Sequence, residues 1–174
     1  MKAIILAGGR GKRLRPITDK IPKPLIPINK KPLIEWTIKY LKKYGITEII
    51  ISSGYKSNLI EKFLKKKKNF GCEIIFSNEK IPLGTGGAIK RALRYIDEES
   101  FLVLNGDVVT NIDLRKILKK PNTIAANELK TKFGTMDIKN NKIIKFNEKK
   151  DVTDVWMNPG IYHLSKDIER LIPK

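Results

Sequence analysis

The chain has 174 residues, enough for one domain with a substantial core. Its hydrophobic content of 41% excludes a disordered chain, and no apolar run is long enough for a membrane-spanning helix. Lys and Arg number 36 against 18 Asp and Glu, a net charge of +18 that favours anionic partners, and the single Cys72 excludes an internal disulfide or a cysteine-rich zinc site. We expect residues 1–174 to form a single domain.

Residues 2–7 are a short apolar run of the kind that forms a buried central strand. This stretch ends in Gly-Gly-Arg-Gly without a small-residue cleavage site, so no signal peptide is expected and the protein reads as cytoplasmic. Gly8, Gly9 and Gly11 leave backbone N–H groups uncovered for a phosphate or a flat base. Lys12, Arg13 and Arg15 can neutralise a polyphosphate, and Pro16, Pro22, Pro24 and Pro27 stiffen the path, with Lys23 between two of them. Leu14 stands where a dinucleotide fingerprint needs its third glycine, and the prolines forbid an immediate helix. A P-loop is excluded by Leu6 and Arg13, which replace its first glycine and its hydroxyl residue.

Pro32 can open a helix carrying Leu33, Ile34, Ile38 and Leu41 at helical spacing, with Gly45 ending it. Glu48–Ser53 reads as a buried strand, Ser57 as the cap of a helix running to about residue 67, and Glu73–Ser77 as a third strand. The run Lys65–Lys68 reads as a solvated helix end, where cations suit the helix dipole. Aromatic residues are few and scattered, so a nucleic-acid partner is not expected. The glycine-rich run Gly84-Thr85-Gly86-Gly87 enters a further helix; by itself it fits either a tight helix entry or a contact with an anion or base edge. Phe101–Leu104 is a fully apolar strand ending at Asn105-Gly106-Asp107, and an acid there lies where open α/β sheets bind ligands. The alternation of strand and helix argues for a parallel sheet with helices on both faces. The last third turns to short strands at Thr123–Asn127, Gly134–Lys139 and Lys142–Phe146, with Asn140-Asn141 as a hairpin turn. His163 lies in a strand and reads as structural, and Ser165 can cap a last short helix.

Residues Leu6-Ala7-Gly8-Gly9-Arg10-Gly11-Lys12-Arg13-Leu14-Arg15-Pro16, followed by Pro22-Lys23-Pro24-Leu25, resemble the signature of the sugar-1-phosphate nucleotidylyltransferases, the nucleotide-sugar pyrophosphorylases. Gly84-Thr85-Gly86 is similar to the second nucleotide loop of that family, and Asp107 to its metal-binding aspartate. Gly134, Glu148-Lys149 and Asn158-Pro159-Gly160-Ile161-Tyr162 resemble its sugar-phosphate motifs, with Lys150 and Pro159 departing from the usual residues. Leu83–Ala88 and Asn158–Tyr162 look most like the mannose- or heptose-1-phosphate guanylyltransferase branch.

The resemblance implies an α/β fold of the Rossmann-like three-layer α/β/α kind, with a mixed, mainly parallel central sheet. It implies transfer of a nucleotidyl group from an NTP to a sugar-1-phosphate, with Mg²⁺ as cofactor and pyrophosphate leaving. Leu6, Ala7, Gly8, Gly9, Gly11, Gly84, Thr85 and Gly86 would then frame the nucleotide. Arg13 would serve the triphosphate and Lys23 the α-phosphate as the catalytic cations. Asp107 would hold the metal, and Gly134, Glu148, Lys149, Asn158 and Gly160 would serve the sugar-phosphate. The attacking phosphate is already ionised, so no general base is needed, consistent with a chain whose one histidine is structural. The family's second metal-binding aspartate lies beyond the Asn158–Tyr162 motif, and no residue here matches it. The alternative is therefore a catalytically reduced, nucleotide-binding subunit of the same fold. A homo-oligomer stays open.

Overall fold

The computed structural model describes residues 1–129, 134–147 and 155–173. The chain divides into two compact units, Met1–Ile124 with Gly160–Lys174, and Ala125–Pro159. Among the described residues no helix is long and apolar enough to cross a membrane.

In the first unit, β1 (Lys2–Ala7) leads into the glycine loop, a 3₁₀ turn at Lys12–Leu14 and the short α1 (Ile17–Lys20). A second 3₁₀ turn, Lys23–Leu25, precedes the two-residue strands β2 (Pro27–Ile28) and β3 (Lys31–Pro32). Then come α2 (Leu33–Lys43), β4 (Glu48–Ser53), α3 (Ser57–Lys66), β5 (Glu73–Asn78), α4 (Gly84–Ala92) and β6 (Ser100–Asn105). The short α5 (Leu114–Ile117) and β7 (Thr123–Ile124) complete the segment before the chain enters the second unit. That unit holds β8 (Asn127–Glu128), β9 (Thr135–Lys139), β10 (Lys142–Asn147) and β11 (Trp156–Met157). The chain returns to the first unit with β12 (Ile161–Ser165), followed by a 3₁₀ helix over Lys166–Leu171.

The central sheet has six strands in the order β5-β4-β1-β6-β12-β7. The first four are parallel, and β12 runs antiparallel to both β6 and β7. This is the mixed, mainly parallel sheet expected from the sequence. Ala3, Ile4 and Ile5 are all fully buried, so β1 is covered on both faces. Ile4, Ile50 and Val103 share a face by register, and Ile89, Ala92 and Leu93 of α4 and its end pack against them. Each fully buried isoleucine contributes about 1.5–3 kcal/mol relative to exposure. On the opposite face, Trp36, Thr37 and Tyr40 of α2 share a cleft with Leu104. Helices on the two faces make the three layers.

The local expectations differ from the structure in three places. Ser57 does not cap α3: Lys56 precedes the helix in a left-handed conformation, and no side chain caps it. The Ser57 hydroxyl instead meets Ser53 Oγ at 2.8 Å and donates to Asn78 Oδ1 at 2.7 Å, because two strand ends offer partners beside the helix start. The expected strand Thr123–Asn127 is two strands, since β7 pairs with β12 and β8 with β11. The last helix is 3₁₀, with Ser165 Oγ accepting from Asp167 N at 3.3 Å as a cap should. In the second unit, β9 and β10 form the expected hairpin, and Asn140 and Asn141 both have positive φ, 50° and 57°. His163 is buried, its Nδ1 3.0 Å from Lys120 O and its Nε2 3.1 Å from Ser100 Oγ, which agrees with a structural role.

The chain runs β1, β4, β5 outward to one edge, then crosses back to lay β6 on the other side of β1. The point where strand order reverses is the crevice in which open α/β sheets bind ligands. Gly106 fixes the closeness of these strand ends: its N–H donates to Leu6 O at 2.8 Å, and a Cβ there would lie 2.8 Å from that same oxygen. Gly106→Ala should therefore destabilise the protein by roughly 1–3 kcal/mol, the usual range for overpacking. A urea unfolding midpoint equal to that of the parent would show that the end of β6 yields freely.

Candidate active site at the carboxyl ends of β1 and β6

Two adjoining clefts open at the switch point. The first, of about 240 Å³, is lined by Leu6, Gly8, Gly9, Ser52, Glu79, Pro82, Gly84, Thr85, Ala88 and Asn105. The second, of about 170 Å³, is lined by Leu6, Ala7, Gly9, Lys23, Pro24, Asn105, Gly106 and Asp107. Residues distant in the chain, from both glycine loops, thus share one cleft. Lys23 and Asp107 share the other.

Each glycine has a distinct place. At Gly9 an added Cβ would meet nothing within 4 Å, so its backbone faces open space. At Gly8 a Cβ would lie 3.1 Å from Glu79 Oε1, so the loop lies flat on that carboxylate. Gly11 has φ +61°, and a Cβ would come 2.9 Å from Thr18 Cγ2, while Thr18 Oγ1 donates to Gly11 O at 3.0 Å. Gly11 is the pivot of the loop and lines neither cleft. Gly84 begins α4 with φ +69° and faces open space, whereas Gly86 backs onto Ile172 at 3.4 Å.

The cationic loop is anchored from the turn between β4 and α3. Tyr55 Oη donates to Thr18 O at 3.1 Å, and Lys56 Nζ donates to Lys20 O at 2.9 Å. Arg10 lies over the Tyr55 ring at 5.9 Å, and Arg15 pairs with Asp19 at 3.2 Å. Arg13 is exposed and engages no partner among the described residues. Lys23 is set by its prolines: Leu25 N–H donates to Pro22 O at 2.8 Å, and Pro24 is buried. Its ammonium pairs with the Asp107 carboxylate, each side chain 34% exposed. The loop beyond Asp107 is held by two phenols, Tyr40 Oη donating to Ile112 O at 2.7 Å and Tyr44 Oη at 3.2 Å. Burial, then neighbouring Tyr44, pushes the Tyr40 phenol's ionisation far up, so it remains a donor.

Glu79 and Ser52 are site residues that the sequence reading passed over. Glu79 follows β5 directly, and its N–H donates to Ser53 O at 2.7 Å. Its carboxylate accepts from Ser52 Oγ at 3.0 Å and from Leu83 N–H at 3.0 Å, next to the start of α4. A signal was present: an acid just past the end of an apolar strand, the same cue that marked Asp107. Asn105, which lines both clefts, was quoted only as part of a turn. Gly160 lies beneath Asn105, whose N–H donates to Gly160 O at 2.9 Å.

Gly134 precedes β9 and Asn158 follows β11, both in the second unit. Glu148 and Lys149 lie outside the described residues. Asp167 accepts from Ser165 Oγ at 3.5 Å and pairs with Arg170 at 3.9 Å. Among the described residues no three His, Cys, Asp or Glu side chains group as a metal cage. The clefts therefore offer two glycine loops, one cation in Lys23 and two carboxylates in Glu79 and Asp107, with no histidine among their lining residues, while Arg13 lines neither cleft. Such a set positions and screens phosphates.

Three comparisons agree with this geometry. The chain is 40% identical over 176 residues to D-glycero-alpha-D-manno-heptose 1-phosphate guanylyltransferase of Aneurinibacillus thermoaerophilus, covering 97% of this chain and 76% of that protein. It is 43% identical to the protein of the same name from Campylobacter jejuni, covering 97% and 77%. Mannose-1-phosphate guanyltransferase of Saccharomyces cerevisiae is 36% identical, with 99% of this chain and 52% of that protein covered. The crystal structure of HddC from Yersinia pseudotuberculosis complexed with GMP-PN superposes with a TM-score of 0.76 at 33% identity, over 99% of this chain and 80% of that one. The pattern of the family described as nucleotidyl transferase matches residues 2–173. This chain belongs to the nucleotidyl transferase family.

Proposed function

We propose that the protein transfers a nucleotidyl group from an NTP to a sugar-1-phosphate, releasing pyrophosphate, with GTP and a heptose- or mannose-1-phosphate as the substrates. The observation that carries this reading is the meeting of Lys23 and Asp107 with two glycine loops at the β1/β6 switch point. The names of the relatives support the substrate class. The family match runs through both compact units, which supports residues 1–174 working as one nucleotidyltransferase domain. A nucleoside triphosphate substrate fits a cytoplasmic setting.

In this reading the base enters the cleft beside Glu79 and the phosphates the cleft beside Lys23. Guanine offers N1–H and N2–H₂, two donors side by side, and a carboxylate accepts both. Each Glu79 oxygen accepts one protein hydrogen bond and keeps further lone-pair capacity. Adenine would present an acceptor to that carboxylate, and uracil one donor between two carbonyls. Arg13 grips the triphosphate, Lys23 the α-phosphate and attacking phosphate, and Lys149 the sugar-phosphate, with Gly134, Glu148, Asn158 and Gly160 on the sugar side. Asp107 fits Mg²⁺: it is a hard carboxylate at the phosphate cleft, and the Lys23 ammonium already lies against it as a cation. Magnesium commonly takes one or two carboxylates and completes its shell with phosphates and water. When bound it would screen charge on the phosphates.

The screen is pyrophosphate release from each NTP against a panel of sugar-1-phosphates with Mg²⁺. Nucleotide binding without release from any pair would instead establish the reduced, binding-only subunit. Glu79→Gln should lower the preference for GTP over UTP in kcat/KM by at least about tenfold, within the range for a bidentate base contact. An unaltered ratio would remove Glu79 from base reading.

Arg13→Lys should cost ~2–4 kcal/mol in kcat/KM although charge is conserved, because an ammonium cannot copy a fork that spans two phosphate oxygens. Arg10→Lys should cost little, since Arg10 faces Tyr55. Equal losses at the two positions would reduce the loop to a diffuse basic patch. Asp107→Asn should keep the fold, seen as an unchanged circular dichroism spectrum, and lose Mg²⁺-dependent turnover by orders of magnitude. Parent-like rates at saturating Mg²⁺ would take Asp107 out of the metal site.

A further inference from the structure

We propose that Tyr40 and Tyr44 are positioning residues for Asp107: their phenols act together as a strut that holds the loop carrying this carboxylate in place at the phosphate cleft. The inference rests on the reading of Asp107 as the magnesium ligand made above.

The loop runs from the end of β6 to the start of α5 and is tied at its two ends. At the first, the Gly106 N–H donates to Leu6 O at 2.8 Å. At the second, Ile112 O accepts from Tyr40 Oη at 2.7 Å and from Tyr44 Oη at 3.2 Å. Between them the backbone hydrogen bonds are local: Val108 N–H donates to Asn105 O at 3.3 Å and Ile112 N–H to Thr110 Oγ1 at 3.2 Å. Asp107 is therefore held from β1 on one side and from the end of α2 on the other.

Two donors on one carbonyl exceed what a simple tie needs, since one is enough to satisfy a buried acceptor. Tyr40 and Tyr44 lie four residues apart, and their rings meet edge to face with centroids 5.3 Å apart. Each ring thus fixes the direction of the other. A tyrosine ring is also rigid, so its hydroxyl both ties the carbonyl and spaces it from the helix.

The need for a spacer lies in the cleft of about 250 Å³ between α2 and this loop, lined among others by Trp36, Tyr40, Leu104, Val108 and Val109. Val109 is still 53% exposed. Movement of the loop into the cleft would bury valine surface, which is favourable in itself, and would draw the adjacent Asp107 with it. The phenols fix the far end of the loop against that movement. Burial keeps the Tyr40 phenol protonated, so its bond persists over the physiological pH range.

Equilibrium binding of GTP to the full chain by titration calorimetry, once in saturating Mg²⁺ and once in EDTA, tests this without turnover. The ratio of the two Kd values isolates the metal-dependent part of binding. The parent should bind GTP more tightly with Mg²⁺, and Asp107→Asn should remove that gain. The double variant Tyr40→Phe with Tyr44→Phe should lower the ratio at least about fivefold, the scale of one net hydrogen bond, while its Kd in EDTA stays parent-like. The two single variants together should lose less than the double variant does, since either phenol alone can hold the carbonyl. Amide hydrogen exchange without metal should quicken at residues 108–111 of the double variant and stay unchanged in β1. Should the double variant fail to fold, Tyr40→Phe decides alone: it removes the shorter bond and should lower the ratio roughly twofold. A parent with equal affinities in Mg²⁺ and EDTA, or a phenol-free variant with the parent's ratio, overturns the proposal. So does a variant weakened equally in both media, the mark of a merely structural tie. A parent that shows the Mg²⁺ gain, and phenol variants that lose it, without pyrophosphate release from any substrate pair, would sink the transferase reading and leave this one standing.

Discussion

The site depends on one backbone contact, the Gly106 N–H to Leu6 O hydrogen bond of 2.8 Å that closes β6 onto β1. Parallel strands need long connections, so this pairing joins segments about a hundred residues apart in sequence, at a large loop-closure cost. What offsets that cost is burial on both sheet faces, since Phe101, Leu102 and Val103 are fully buried alongside Ala3, Ile4 and Ile5. Once the strands pair, their carboxyl ends must lie side by side. The glycine loop after β1 and the Asn105-Gly106-Asp107 turn after β6 are then neighbours by construction. The absence of a side chain at Gly106 keeps the ends close enough for Lys23 to reach Asp107.

The large positive charge becomes specific only through geometry. At the amino ends of the strands, the N-terminus lies 3.5 Å from Glu98, and Lys2 lies 3.8 Å from Glu48 and also pairs with Asp97. At the carboxyl end, Arg10 and Arg15 are occupied by Tyr55 and Asp19, and Lys23 by Asp107. The side chains of Lys12 and Arg13 are left exposed and without a partner among the described residues, and of the two only Arg13 carries a guanidinium fork. Exposed pairs of this kind contribute little to stability, and their effect here is to sort the cations. Glu79 shows the same principle with the opposite sign. Its carboxylate is fastened by a hydroxyl and a backbone N–H, so it is oriented before any ligand arrives.

The second unit follows local rules more closely. The pair Asn140-Asn141 adopts left-handed dihedrals, and the flanking strands pair across it as their sequence demands. Ile143 pairs with Ile138 and Phe146 with Met136, although a register shift intervenes between Ile143 and Lys145. Nothing in the residue types announced that irregularity. A bulge is set by how a strand must twist, which is a property of the pair.

By itself the sequence determined the elements and the chemistry class. Apolar runs of strand length, helical spacing in Leu33–Leu41, glycines with cations at residues 8–15 and an acid at the end of an apolar strand are all local, and local propensity is enough to read them. The three-layer α/β class and the loop residues Gly8, Gly9, Gly84 and Thr85 were legible for that reason. Tertiary structure decided which of these meet. It placed Glu79 and Ser52 in the cleft between the two glycine loops, turned Gly11 towards Thr18 and Gly86 towards Ile172, and set Gly160 beneath Asn105. It also gave the Ser57 hydroxyl to Asn78 instead of to its helix. Each of these outcomes depends on a neighbour brought close by strand order, and strand order is fixed by burying two faces of one sheet at once, a condition that no single stretch of sequence contains.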